Sequence, residues 1–235
     1  ALFGCADFKI ATEESWIGMA GPSMIESAGL GTFHPKEIGS CDMQSKNGLI
    51  DIVVKNEHEA SNISRQLISY FQGSVKEKVT VANQNSISKI LPKDRRRVYD
   101  IKRIINVIFD KNSFLELKKD FGKSIIIGFA RIDGIPISLV GSNCMHLSGA
   151  IDADAADKVT EFYSILNRLK LPLIVLGDTP GFMVGPESEK RNTVKKNSDL
   201  FRKSSSLKIQ IICIILRKAY GLGIQSLVGG SFKKP

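Results

Sequence analysis

The residues best placed for chemistry in this sequence are glycines at turns, rather than paired acids, bases or nucleophiles. Met145-His146-Leu147-Ser148-Gly149-Ala150-Ile151-Asp152 puts small residues directly before a helix capped by Asp152 or Asp154. Backbone amides in such a place point into open space, and the helix dipole adds partial positive charge. That arrangement can hold a developing oxyanion, often a large contribution in acyl chemistry. A tight loop whose glycine serves close packing explains the same spacing. A second stretch, Asp178-Thr179-Pro180-Gly181-Phe182-Met183-Val184-Gly185-Pro186, follows an apolar strand, and sites in α/β sheets lie at such ends. A rigid turn is the plainer alternative. In the third, Arg217-Lys218-Ala219-Tyr220-Gly221-Leu222-Gly223, two cations beside a glycine turn could hold phosphate or a carbonyl oxygen, or could end a strand in solvent.

Other chemistries find little support. The sequence contains no GxSxG elbow, HExxH pair or phosphate-binding P-loop. His34, His58 and His146 are isolated, and Cys5, Cys41, Cys144 and Cys213 occur singly, so no zinc or other metal site is expected. Cys5 and Cys213 sit in apolar surroundings and are expected to be buried thiols in a reducing compartment. The net charge is +9, which leaves nucleic acid, acidic partners and polyphosphate ligands open. The basic residues are scattered without interleaved aromatics, however, and Arg95-Arg96-Arg97 reads best as a solvated helix start, so no nucleic-acid surface is expected. No apolar run approaches the ~20 residues of a membrane helix. The chain opens on Ala1 in an apolar stretch, with neither a start Met nor a signal-peptide pattern, and it reads like a cut from something longer.

The elements that must position these turns alternate between strand and helix. Residues 9–12 and 16–19 read as short strands, Gly21-Pro22 ends the second, and 29–35 form a loop. Residues 49–54 read as a strand after an Asn47-Gly48 turn. Ala60, Ile63, Leu67 and Phe71 share one helical face. The polar stretch 73–93 is the best linker candidate. Beyond it come a helix carrying Val98, Ile101, Ile104 or Ile105, and Ile108, then a hairpin of 124–132 and 135–140 around Asp133-Gly134. A helix over 152–169 turns Val159, Phe162, Leu166 and Leu169 inward. Buried strands are expected at 171–177 and 209–216, with another helix after Pro186. Strands feeding helices through glycine turns indicate an α/β fold. Ser226-Leu227-Val228-Gly229 echoes Ala1-Leu2-Phe3-Gly4, as a duplicated fold would.

Taken together, MHLSGAIDADAADKV (145–159), LPLIVLGDTPGFMVGPESEK (171–190) and LRKAYGLGIQSLVGGSF (216–232) resemble the carboxyltransferase (beta) subunit of biotin-dependent acyl-CoA carboxylases, of the acetyl-/propionyl-CoA carboxylase type. IATEESWIGMAGPSMIESAGLGTF (10–33) and NGLIDIVV (47–54) resemble the later part of that family's N-terminal domain. RRRVYDIKRIINVIFD (95–110) and SFLELKKDFGKSIIIGFARIDGIPISLVGSN (113–143) resemble the start of its C-terminal domain. The resemblance is collinear over nearly the whole chain and weakest in 73–93. It implies a crotonase-like (ClpP/crotonase) β/α spiral, with parts of two duplicated domains, residues 1–80 and 81–235, and a chain that is a central fragment.

The resemblance also implies an enzyme that moves a carboxyl group from carboxybiotin to the α-carbon of an acyl-CoA through an enolate held by backbone amides. Gly149 and Ala150 match the amide pair that faces biotin. Asp152 matches a position tied to acyl-chain selectivity, and Gly181, Phe182, Tyr220 and Gly221 line the same cavity. Gly21, Pro22 and Gly29 belong to the N-domain side. Implied partners are biotin on a carrier protein, biotin carboxylase, a CoA thioester and further copies in a dimer-based hexamer, in the cytoplasm, mitochondrial matrix or plastid. The chain departs from the family pattern at Ser142-Asn143-Cys144, Ala20-Gly21-Pro22 and Ser27-Ala28-Gly29, each adding a side chain near a close backbone turn. The family's N-domain glycine pair would precede Ala1, so little activity is expected of this chain alone. A biotin-dependent decarboxylase α-subunit runs the same half-reaction in reverse, and a non-catalytic structural remnant is the reading of another class. A simple enoyl-CoA hydratase fits less well, because no paired glutamates stand out.

Overall fold

The computed structural model describes residues 1–75, 79–94 and 96–230. Residues 76–78 of the polar stretch, Arg95 of the basic run and residues 231–235, which include the end of the last motif, lie outside the described residues. In chain order the elements are β1 (Ile10–Thr12), α1 (Pro22–Ser27), α2 (Cys41–Lys46), β2 (Ile52–Val54), α3 (Glu57–Ser69), α4 (Ile87–Ile90), α5 (Ile101–Ile108), β3 (Leu115–Leu117), β4 (Ile125–Ile132), β5 (Ile135–Ser142), α6 (Ala153–Leu169), β6 (Leu173–Thr179), α7 (Pro186–Glu189), α8 (Thr193–Ser205), β7 (Ile211–Ala219) and α9 (Gly221–Leu227).

The chain divides into two compact units, Ala1–Gln66 with Lys118–Phe121, and Leu67–Leu117 with Gly122–Pro235. In the first, β1 and β2 pair in parallel, with Ile10 opposite Ile52. Ala11, Cys41 and Ile50 form its small core, packed by Phe3, Ile17 and Val53. A buried carboxylate, Asp51, stands between two buried ammonium groups, 3.5 Å from Lys9 Nζ and 3.7 Å from Lys118 Nζ. Lys118 Nζ also donates to the Gly48 carbonyl, so this unit closes only with a strip of chain from far along the sequence.

Residues 16–19, expected to be a strand, make only an isolated bridge between Trp16 and Ser40. Gly21-Pro22 starts a helix rather than ending a strand: Gly21 is the N-cap of α1 and Pro22 its first residue, a position where a missing N–H costs nothing.

The second unit is built on a five-stranded sheet in the order β3-β4-β5-β6-β7. Strands β3, β4 and β5 pair antiparallel, and β5, β6 and β7 pair parallel. The β4–β5 hairpin turns at Asp133 and Gly134, both at positive φ (50° and 76°), as a two-residue turn of the favoured hand requires. The Asp110 carboxylate accepts both turn amides, at 3.0 and 2.8 Å. At β4 both faces of the sheet are covered. Ile101, Ile104 and Ile105 of α5 pack in one cluster with Ile126, Ala130, Leu139 and Leu176. On the opposite side of β4, the Phe129 ring lies 5.5 Å from Phe162 of α6. Helix α6 is the crossover between the parallel strands β5 and β6. It starts where expected: Asp152 is its N-cap and accepts the Ala155 amide at 3.2 Å.

Two expectations fail here. The apolar run 209–216 becomes β7, which lies at the end of the sheet among the described residues and is not buried; Ile212 is 55% and Ile215 47% exposed. An apolar run marks a strand, but a run alone does not distinguish a central strand from an end strand. For the same reason Cys213 on β7 is exposed, as is Cys5, whereas Cys41 and Cys144 are the buried thiols.

Candidate active site

Strands β5, β6 and β7 run parallel, so their C-terminal ends share one edge, and the three glycine-rich stretches are the segments that leave those ends. The loop after β5 is tightly wound. Leu147, Ser148 and Gly149 follow one another at positive φ (48°, 53° and 83°). The Gly149 amide donates to the His146 carbonyl at 3.0 Å, and the Ala150 amide to the Leu147 carbonyl at 2.9 Å. Both amides of the expected pair therefore close turns within the loop, and a ligand oxygen would share them in three-centre bonds of the kind common at helix ends.

Gly149 also packs closely. A Cβ there would stand 2.5 Å from the Asp178 carbonyl oxygen, so close packing fixes a glycine at this position whatever the amides do. The positive end of α6 is covered by the chain's own Asp152 carboxylate, which accepts Ser124 Oγ (3.0 Å) as well as the Ala155 amide.

The second and third loops knit onto the first. Ile151 and Phe182 form a parallel bridge: the Ile151 amide donates to the Gly181 carbonyl (3.0 Å) and the Met183 amide to the Ile151 carbonyl (2.8 Å). The Tyr220 amide donates to the Thr179 carbonyl (3.2 Å), and a Cβ on Gly223 would meet Gly181 Cα at 2.7 Å. The structure thus gathers Gly149, Ala150, Asp152, Gly181, Phe182, Tyr220 and Gly221 at one edge of the second unit. Beside them opens a cavity of about 380 Å³, lined in part by Leu147, Asp152, Met183, Val184, Pro186 and Arg191. This is the size and largely apolar character of a small-molecule site. Arg191 is held by a two-oxygen contact to Asp154 at 2.7–2.8 Å. On the first unit Gly21 and Gly29 are exposed and Pro22 is half-buried; the unit holds its own hollow of about 820 Å³ against Phe3, Ile10, Trp16 and Ile17.

Beneath the three loops lies a buried ionic cluster that inspection of the motifs misses. The Asp178 carboxylate, fully buried at the end of β6, accepts the Tyr99 hydroxyl (2.9 Å), Arg217 Nε (2.8 Å) and the Lys218 amide (3.2 Å). Arg217 stacks over the Tyr99 ring at 4.5 Å and donates to the Arg97 carbonyl at 2.6 Å. Burial and the adjacent carboxylate push the Tyr99 phenol well above its ordinary range. Partial burial works against the Arg217 charge, but the Asp178 bond outweighs it and its pKa is raised. Arg217 is therefore committed to the chain's own carboxylate, while Lys218 Nζ reaches a carbonyl oxygen, that of Ser148, at 3.0 Å.

Two residues of the Ser142-Asn143-Cys144 stretch have distinct surroundings. Cys144 Sγ donates to the Tyr99 carbonyl (3.2 Å) and accepts the Tyr99 amide (3.4 Å). Ser142 Oγ is buried without a hydrogen-bond partner among the described residues.

Comparison with known proteins identifies the family and the fold. Residues 3–232 match the family described as carboxyl transferase domain. Among curated relatives, the biotin-dependent long chain acyl-coenzyme A carboxylase beta4 subunit of Mycobacterium tuberculosis is 29% identical over 92% of this chain and 43% of its own length. The methylmalonyl-CoA carboxyltransferase 12S subunit of Propionibacterium freudenreichii is 27% identical, again over 92% and 43%. Among solved structures, a single-chain, multi-domain long-chain acyl-CoA carboxylase superposes with a TM-score of 0.93 at 41% identity, covering 97% of this chain and 23% of that one. The transcarboxylase 12S hexamer gives 0.86 at 26% identity over 95% and 46%. The chain spans under half the length of these relatives. The fold is crotonase-like, and the chain belongs to the carboxyl transferase domain family.

Proposed function

We propose that this chain forms part of the carboxyltransferase component of a biotin-dependent acyl-CoA carboxylase, with the three loops at the C-terminal ends of β5, β6 and β7 as its share of the site. The observation that carries this reading is the convergence of the Gly149, Gly181 and Gly221 turns on one sheet edge beside an apolar cavity, in a chain of this family. Carboxybiotin, presented by a carrier protein, would supply carbon dioxide and a ureido nitrogen able to take the α-proton of the thioester.

The protein's part is then to hold charge on oxygen. The Gly149 and Ala150 amides would donate to an oxyanion, the cavity by Met183 and Val184 would exclude water, and Asp152 would face the bound group from the start of α6. In this reading no side chain needs to act as base. The basic surplus suits the phosphates of CoA. Residues 1–80 and 81–235 would be the later part of one carboxyltransferase domain and the earlier part of the next, and the working site would need a second subunit's opposite domain.

A non-catalytic role is favoured by one observation, the engagement of both candidate amides in local turns. Decarboxylation of malonyl-CoA or methylmalonyl-CoA with free biotin separates the two readings. Turnover is expected when this sequence is assayed within its full-length, oligomeric subunit, and little from the 235-residue chain alone. Absence of turnover from a well-folded oligomer overturns the catalytic reading.

A further inference from the structure

We infer that Lys218 is a positioning residue that sets the direction and donor strength of the Gly149 amide; the inference deepens the carboxyltransferase reading and rests on it for its catalytic meaning. Lys218 Nζ donates to the Ser148 carbonyl oxygen at 3.0 Å. That carbonyl and the Gly149 N–H belong to one planar peptide unit, so fixing the oxygen fixes the hydrogen on the opposite side. A cation on the oxygen also polarises the unit and makes its N–H a stronger donor.

On its N–H side this peptide is held by the bond to the His146 carbonyl at 3.0 Å; on its oxygen side Lys218 supplies the hold. Ser148 is exposed, and three consecutive residues sit at positive φ, a conformation that side-chain-bearing residues adopt at a cost. Lys218 is itself anchored. Its amide donates to Asp178 Oδ1 at 3.2 Å, its ammonium lies 3.9 Å from the same oxygen, and its side chain is largely buried. Asp178 is in turn fixed by Tyr99 and Arg217, and its carbonyl oxygen is the atom against which Gly149 packs. The cluster below the loops therefore carries one arm, Lys218, up to the peptide that bears the candidate oxyanion donor. Its neighbour Arg217 donates to the Arg97 carbonyl.

Amide hydrogen exchange on the 235-residue chain tests this without requiring activity. Lys218→Met is expected to speed exchange at Gly149 and Ala150 about 10-fold, the loss of one charge-assisted hydrogen bond. Lys218→Arg, which can still reach the carbonyl, should restore protection to within about 3-fold on the same basis. The amides of Ile127 and Phe129 in β4 should not change. Unchanged exchange at Gly149 and Ala150 in Lys218→Met overturns the inference, and so does equal acceleration at Ile127, which would make Lys218 a general stabiliser. In the decarboxylation assay, Lys218→Met should lower kcat while leaving KM for the acyl-CoA unchanged, with Lys218→Arg recovering most of the rate. An active wild type with an unaltered Lys218→Met kcat counts against the positioning role alone, whereas an inactive wild type counts against the carboxyltransferase reading and leaves the exchange result to decide the rest.

Discussion

Replacing Gly149 by alanine puts one methyl group where the fold has no room for it. The residue sits at φ +83°, and the new Cβ would lie 2.5 Å from the Asp178 carbonyl oxygen. That oxygen belongs to β6, whose seven residues are all buried, so it cannot swing aside as a side-chain tip would. Left-handed backbone costs an L-residue about 1–2 kcal/mol. Overpacking against a fixed neighbour adds about 1–3 kcal/mol, and Gly149→Ala should therefore cost about 2–5 kcal/mol. At a urea m-value of ~2 kcal/mol per molar, the unfolding midpoint falls by about 1–2.5 M.

Gly185→Ala separates the two contributions, because Gly185 has φ +114° with nothing within 4 Å of its Cβ position. It should lose only the conformational part, about 1–3 kcal/mol in a backbone region open almost only to glycine. Equilibrium urea unfolding followed by tyrosine fluorescence and circular dichroism gives both numbers. A Gly149→Ala midpoint equal to wild type, or a shift no larger than that of Gly185→Ala, would refute the packing argument. Within an active subunit the same substitution keeps the residue-149 amide but displaces it, and should lower the decarboxylation rate toward the ~100-fold that loss of an oxyanion donor costs.

Other perturbations follow from the same structure. Asp178→Ala strands Arg217, whose side chain is only 5% exposed, and should destabilise the second unit by about 3–5 kcal/mol in denaturant unfolding. Asp152→Ala removes the cap of α6 and should cost about 1 kcal/mol, visible as a smaller midpoint shift at unchanged m. The Tyr99 and Tyr163 phenols are both pushed upward, chiefly by burial. The unfolded chain loses these protons above pH ~10 while the fold keeps them, so stability is untouched below that pH and falls above it by about 1.4 kcal/mol per pH unit for each phenol. Urea midpoints measured from pH 8 to 11 that stay flat would contradict this.

Legibility from sequence tracked how local the determining interactions are. The Asp133-Gly134 hairpin and the Asp152 cap rest on residues a few positions apart, and both stand where their local chemistry puts them. The three glycine stretches were also readable, because turns that need positive φ announce themselves. The Asp178 cluster was not: its partners Tyr99 and Arg217 lie 79 and 39 residues away, and Arg217 beside a glycine turn has the look of a solvent cation. Residues 16–19 failed for the opposite reason, since β-prone side chains found only a one-residue bridge to pair with. Strand β7 shows the remaining limit, as apolarity specified a strand but not which neighbours would cover it.

The strip Lys118–Phe121 makes the first compact unit discontinuous in sequence, and that has a consequence for how the molecule can be divided or assembled. A chain emerging from its N-terminus exposes Asp51 with Lys9 for company, but the second ammonium arrives only 67 positions later. Until then a carboxylate destined for burial is short of one counter-charge, so closure of this unit waits on a long loop and is slowed accordingly. A recombinant piece ending at residue 66 would carry the same deficit permanently. Any dissection of this protein that respects its energetics must keep residues 118–121 attached to the half they complete.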